Sequence, residues 1–142
     1  MAVIADSGAI YALYDSCDRH HSAVKRVLER ERGPIIVPTA ILAELDYLLR
    51  EYLGVEAELD FLDGIIRGSY ALESVTDQDL GRCRELISKY RGLDLGLADS
   101  AVIATAERLS IDRIFTADQR HFRAVRSRRG QPFVLLPSDD KP

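Results

Sequence analysis

Cysteine is scarce: Cys17 and Cys83 are the only two in 142 residues. Two distant thiols cannot form a disulfide framework or a zinc ribbon, and they suit a reducing cytoplasm. No apolar run approaches the roughly 20 residues that span a bilayer, which argues against a membrane protein. The opening, Met1 to Asp6, has neither a basic leader nor an apolar stretch long enough for a signal peptide, so a cytoplasmic location is expected. A glycine-rich phosphate loop and a Gly-Lys-Ser/Thr signature are both missing, which disfavours the common nucleotide-binding designs. With three histidines there is little material for imidazole acid–base chemistry. Neither an internal repeat nor a linker is visible, so one domain is expected over residues 1–137, followed by a flexible tail, 138–142.

What is present is ordinary for a globular chain. Hydrophobic residues make up 46% and charged residues 30%, enough apolar material for one sizeable core. Acids outnumber bases 23 to 19, a net charge of −4, which by itself argues against a polyanionic partner. The distribution argues the other way. Arg120, Arg123, Arg126, Arg128 and Arg129 lie close together with no acid among them, and most acids lie upstream. Such a chain can hold cations at one place and a phosphate backbone at another.

The pattern along the chain alternates between strands and helices. Residues 2–5, 35–37, 69–75, 113–116 and 133–136 read as strands, bounded by turn residues such as Gly33-Pro34. Helical spacing follows Asp6-Ser7-Gly8 and runs over 20–32, 41–52, 55–66, 77–90, 95–109 and 118–125. Thr39 and Thr76 are candidate caps. Strands alternating with helices imply a mostly parallel α/β sheet flanked by helices on both faces, in which function gathers beyond the carboxyl ends of the strands.

Asp6 and Asp118 stand directly after two of those strands. Each can cap the following helix, with Ser7 or Thr116 sharing the task, or hold a cation if the strands are neighbours. Asp99 heads an apolar column, with Val102, Ile103 and Ala106 within about 60° of it on a helical wheel. A lone carboxylate there is costly unless it is paired or bound to a cation, although as the third residue of its helix it can also bond back to the amide of Gly96. Glu44 borders the stripe of Ile41, Leu45 and Leu48, with Asp46 on the opposite border. It is either a solvated flank residue or a fourth ligand. Four converging carboxylates would repel one another strongly. Divalent cations resolve that repulsion, and an all-oxygen donor set favours Mg²⁺ or Mn²⁺ over zinc, which suits hydrolysis of a phosphodiester.

Four segments carry a resemblance: Asp6-Ser7-Gly8, Ala43-Glu44-Leu45-Asp46-Tyr47-Leu48, Leu97-Ala98-Asp99-Ser100 with the apolar run behind it, and Phe115-Thr116-Ala117-Asp118. Together they are similar to the acidic motifs of PIN-domain ribonucleases, in particular the VapC-type toxins of bacterial toxin–antitoxin pairs. The resemblance implies a five-stranded PIN-like sheet and an endoribonuclease dependent on one or two Mg²⁺ or Mn²⁺ ions. It also implies a homodimer, a VapB-like antitoxin and a structured cellular RNA, tRNA or rRNA, as substrate. Asp6, Glu44, Asp99 and Asp118 would form the acidic site, with Ser7 and Thr116 in support and the arginines at 120, 123, 126, 128 and 129 as RNA contacts or an antitoxin dock. Gly96 stands where many relatives have a serine cap, and Asp94 is a fifth acid better suited to a loop.

Other readings are weaker. Cys17, His20 and His21 loosely suggest a soft-metal site, but no fourth ligand is evident. His121 either touches RNA or covers its helix. An aspartyl phosphatase of the haloacid-dehalogenase kind needs a second aspartate where this chain has Gly8. A catalytically silent PIN-like module that binds RNA or a partner would have no need of all four acids.

Overall fold

The computed structural model describes residues 1–140. Five short strands, β1 (Val3–Ala5), β2 (Ile35–Pro38), β3 (Ala71–Glu73), β4 (Arg113–Phe115) and β5 (Val134–Leu136), form one sheet in the order β3-β2-β1-β4-β5. Every pairing is parallel. Between strands run α1 (Ser7–Tyr14), α2 (His21–Arg30), α3 (Leu42–Leu53), α4 (Val55–Ile66), α5 (Asp77–Lys89), α6 (Leu97–Arg108) and α7 (Gln119–Ala124). None of these helices is long and apolar enough to cross a membrane.

The strand order explains the layering. The chain starts in the centre and moves outward through β2 to β3, then returns to β4 on the other side of β1 and ends at β5. Parallel crossovers are right-handed, so reversing direction moves the connecting helices to the opposite face. Accordingly α1 packs on α2 and α3, and α3 on α4, whereas α5 and α7 both pack on α6. The central strand is the most enclosed: Val3, Ile4 and Ala5 are all buried, with Ile10, Leu45, Leu49, Ile103 and Ile114 around them. Along α6 the run Ser100 to Ala106 is buried, because its small side chains let it approach both the sheet and α5.

Local chemistry sets the boundaries. Thr76 caps α5 in a reciprocal capping box with Asp79, satisfying two amides at once. Thr39 does not cap α3, as the sequence had indicated. It opens a 3₁₀ turn, Thr39–Ile41, with no side-chain cap bond, and its Oγ1 accepts from the amide of Val75 instead. Gly54 joins α3 to α4 at φ 97°, a conformation that costs a side-chain-bearing residue about 1 kcal/mol or more. In the expected tail, Arg123 pairs with Asp139 and Arg30 with Asp140; Lys141 and Pro142 lie outside the described residues.

Candidate active site

The reversal of direction falls between β1 and β4, which pair at Ala5 with Phe115. At such a switch point the loops after the two strands diverge and leave a crevice at the carboxyl edge. Asp6 follows β1 and caps α1, its Oδ1 accepting the Ser7 amide at 2.8 Å. Asp118 follows β4 and caps α7, accepting the Arg120 amide at 3.0 Å. The capping and ligand readings are therefore not alternatives: the cap bond is what fixes where each carboxylate stands.

Thr116 ties the two loops together. Its hydroxyl proton has two acceptors, Asp6 Oδ2 and the Asp118 carbonyl, each 3.0 Å away, and its oxygen accepts the Asp118 amide at 3.1 Å. Asp99 enters from the first turn of α6 and accepts a backbone bond from Gly96. Glu44 enters from the first turn of α3 and is exposed. Asp46 turns away, toward Glu58 of α4.

Electrostatics show that the four carboxylates share one field. Asp6 is 5% exposed, and its carboxyl is pushed up to about 7 by burial first, then by the charges of Asp99 and Glu44, against the bonds from Thr116 and Ser7. Asp99 is also raised, chiefly by burial and further by Glu44 and Asp118, while His121 opposes the shift. Displacement by burial and like charge is the pattern that gathers at functional sites.

His121 was assigned by the sequence to RNA contact or helix cover; the fold puts it inside the cluster. Its Nδ1 is 3.4 Å from Asp99 Oδ2 and 3.4 Å from Asp118 Oδ2. Its place three residues after Asp118, on the same face of a short helix, was the available signal. The other histidines do not gather with Cys17. His21 Nδ1 lies 2.8 Å from the Ala12 carbonyl, and His20 Nε2 accepts from Arg19. Asp94 closes the turn after Arg91–Leu93 in a left-handed conformation.

A set of four carboxylates, one of them bonded to the Thr116 hydroxyl, suits a hard divalent cation in its chemistry. Among the described residues no three carboxylates, imidazoles or thiols already stand close enough to grip one ion together. The cluster is therefore one of shared electrostatics rather than a closed cage.

The arginine strip is not one surface. Arg120 is exposed beside Asp118. Arg123 donates two hydrogen bonds to the Asp139 carboxylate, at 2.8 and 2.6 Å. Arg126 turns its guanidinium to the Arg123 carbonyl. Arg128 and Arg129 sit on a hairpin that precedes β5, at the amino end of the sheet.

Comparison with known proteins agrees with this architecture. A profile of the PIN domain matches residues 3–127. Ribonuclease VapC26 of Mycobacterium tuberculosis (strain ATCC 25618 / H37Rv) is 31% identical over 135 residues, 95% of this chain and 100% of that protein. The fold is similar to that of Mycobacterium tuberculosis VapC20, a sarcin-ricin loop cleaving toxin, with a TM-score of 0.78 and 18% identity over 84% of this chain and 92% of that one. It is also similar to a toxin–antitoxin complex from Klebsiella pneumoniae, with a TM-score of 0.68 and 17% identity over 87% and 92% of the two chains. VapBC2 from Rickettsia felis, bound to a promoter DNA fragment, gives a TM-score of 0.66 and 16% identity over 95% and 97%. At these identities the structural likeness is one of fold.

Proposed function

The chain belongs to the PIN-domain family and, within it, to the VapC-type ribonuclease toxins, and from that premise we propose that it is a cytoplasmic endoribonuclease that cuts RNA at the cluster of Asp6, Glu44, Asp99 and Asp118. The observation that carries this reading is the buried Asp6, raised to about 7 by its surroundings and by two carboxylates from distant parts of the chain. A purely structural cap has no use for that arrangement.

In this reading Asp6, Asp99 and Asp118 hold one or two Mg²⁺ or Mn²⁺ ions, and Glu44 joins them or orients the attacking water. When bound, such an ion lowers the pKa of water and stabilises negative charge on phosphoryl oxygens. Thr116 keeps Asp6 and the Asp118 loop in register through its three bonds. His121 restrains Asp99 and Asp118 from the side. Arg120, exposed beside Asp118, would meet a backbone phosphate and read charge, not sequence. In-line attack of water breaks the bond from phosphorus to the 3′ oxygen, which takes up a proton. The products are a 3′-hydroxyl and a 5′-phosphate. Structured tRNA or rRNA is the expected target, with arrest of translation and growth as the consequence.

The helices also support a protein partner. Val55, Leu59, Leu62 and Ile66 recur along α4 every three to four residues and are 48%, 47%, 40% and 81% exposed, and the neighbouring α3 adds the exposed Tyr47 and Tyr52. A continuous apolar stripe of this kind is a dock for an amphipathic helix. We assign it to a VapB-like antitoxin. A second patch, Leu80, Ile87 and Leu97, we assign to the homodimer.

The test is cleavage of bulk tRNA and rRNA by purified protein in Mn²⁺, then in EDTA, with Asp99→Asn alongside. Cutting that stops on chelation and in the variant is expected. Cutting unaffected by both would reject the site.

A further inference from the structure

A cavity of about 520 Å³ opens at the opposite end of the sheet from the carboxylates, between the end of α6, the turn before β4 and the hairpin before β5. Asp99 and Glu107 stand at the two ends of α6, and eight residues at the helical rise separate the two places by about 12 Å. We propose that this cavity is a second nucleotide-binding site, which holds a base and its phosphate from a part of the RNA outside the segment being cut. The inference rests on the ribonuclease reading for the identity of the RNA, not for the chemistry of the pocket.

The walls specify the ligand class. Ala106, Ile111, Pro132 and Phe133 supply an apolar surface, and a base, whichever it is, offers a flat π-face to such a surface. Arg129 and Asp112 both line the same space, and among the described residues neither enters an ion pair. A cation alone would suit any anion. A cation and a carboxylate on the walls of a partly apolar cavity suit a molecule that carries both an acidic group and N–H donors, as a nucleotide does. The volume lies within the roughly 300–1,000 Å³ of small-molecule sites.

The hairpin is organised before anything binds. Arg126 and Pro132 form an antiparallel bridge, the Ser127 amide donates to the Gln131 carbonyl at 2.9 Å, and the Gly130 amide to the Ser127 carbonyl at 2.9 Å. Gly130 takes φ 76°, which closes the turn without strain. On the wall itself, the Arg128 amide donates to Glu107 Oε2 at 2.6 Å, and Arg82 in turn grips both oxygens of Glu107, so that this second carboxylate is already satisfied. Ligand binding therefore has little loop ordering to offset. Ser110, on the rim, adopts φ 56° just past the end of α6. Glycine is the usual occupant of that position, and here a serine places its hydroxyl on the cavity wall. Arg120 and Arg126 lie on the chain between the two sites. An RNA engaged at both must present two elements at once, one at each end of the sheet.

The experiment titrates the metal-free wild-type protein in EDTA with AMP, GMP, CMP and UMP, and separately with inorganic phosphate, following backbone amides by NMR. Saturable shifts at Ser110, Ile111, Arg128 and Gln131 are expected with nucleotides. They should weaken at least tenfold in Arg129→Glu, and the preference among bases should change in Asp112→Asn. Arg129 is exposed at the hairpin tip, so that variant should keep the fold, which the same spectra verify. With bulk RNA, Arg129→Glu should raise KM about tenfold at unchanged kcat. No shift at millimolar nucleotide, or equal shifts with phosphate alone, would overturn the inference. If nucleotides bind but no RNA is cut, the ribonuclease reading fails and the pocket stands. If RNA is cut equally by wild type and Arg129→Glu, the pocket has no part in RNA binding and the inference fails alone.

Discussion

Replacing Asp6 with asparagine should make the metal-free protein more stable while removing its activity. The Asp6 carboxyl goes from 3.8 to about 7 on folding, through burial and the charges of Asp99 and Glu44. A raised value means that the folded state holds this proton more tightly than the unfolded chain. Stability from this group therefore falls as pH rises from about 4 to 7 and is flat above. Three units correspond to about 4 kcal/mol, a ceiling that relaxation of the neighbouring side chains would reduce. Asparagine keeps the hydrogen bonds. Its Oδ1 can accept the Ser7 amide, and its Nδ2 can donate to Thr116 Oγ1, which then gives its own proton to the Asp118 carbonyl. At pH 8 the variant should thus unfold higher by about 5–15 °C, given roughly 2–4 °C per kcal/mol for a chain of this size. At pH 4.5 the advantage should shrink to about 1 kcal/mol, because the unfolded carboxyl is still mostly ionised there. Thermal unfolding in EDTA across that range measures it. Mn²⁺ should restore the wild type toward the variant at pH 8 and leave the variant unmoved. An advantage that is the same at both pH values, or a less stable variant at pH 8, would refute the buried-charge argument.

Other perturbations follow from the same structure. His121→Ala should lower metal-dependent cleavage about 10–100-fold with little change in unfolding temperature; cleavage at the wild-type rate would remove His121 from the site. Asp79 is 3% exposed, caps α5 with Thr76 and binds Arg108. Its alanine variant should lose about 3 kcal/mol, read by urea denaturation. Despite its burial, Arg108 and Thr76 hold the Asp79 carboxyl below its usual value, so this contribution is complete at neutral pH and is lost as pH falls through the folded value. Thr105 Oγ1 is buried without a hydrogen-bond partner, so Thr105→Val should raise stability by about 1 kcal/mol. A Leu59→Glu, Ile66→Glu double variant on exposed α4 should leave cleavage intact and abolish inhibition by the cognate antitoxin; unchanged inhibition would move the dock elsewhere.

Much of the architecture was readable because its signals are local. Alternating strand and helix segments, the Thr76 box, Gly54 and the aspartates after β1 and β4 all depend on a few adjacent residues. Asp99 was legible because a charged group at the head of an apolar column needs an explanation. His121 was less so, since periodicity places it on α7 but not opposite α6. The arginines look continuous in sequence, yet the six residues of α7 and the turn after it carry the last two to the other end of the sheet. On α4 both apolar faces follow helical spacing. Phe61, Gly64 and Ile65 pack inward whereas Val55, Leu59, Leu62 and Ile66 face out, and only the position of β3 and α3 decides between them.

Short-range chemistry in the sequence determined which residues start, stop and cap each element, and hence that several acids would stand at element ends. The tertiary structure alone decided that they share one electrostatic field at the carboxyl edge of the sheet. Insertion of β4 beside β1, a pairing between segments more than a hundred residues apart, sets Asp118 next to Asp6, and the two crossovers bring Glu44 and Asp99 in from opposite faces. Nothing in local backbone preference encodes that strand order. It follows from burying one shared apolar sheet under right-handed connections.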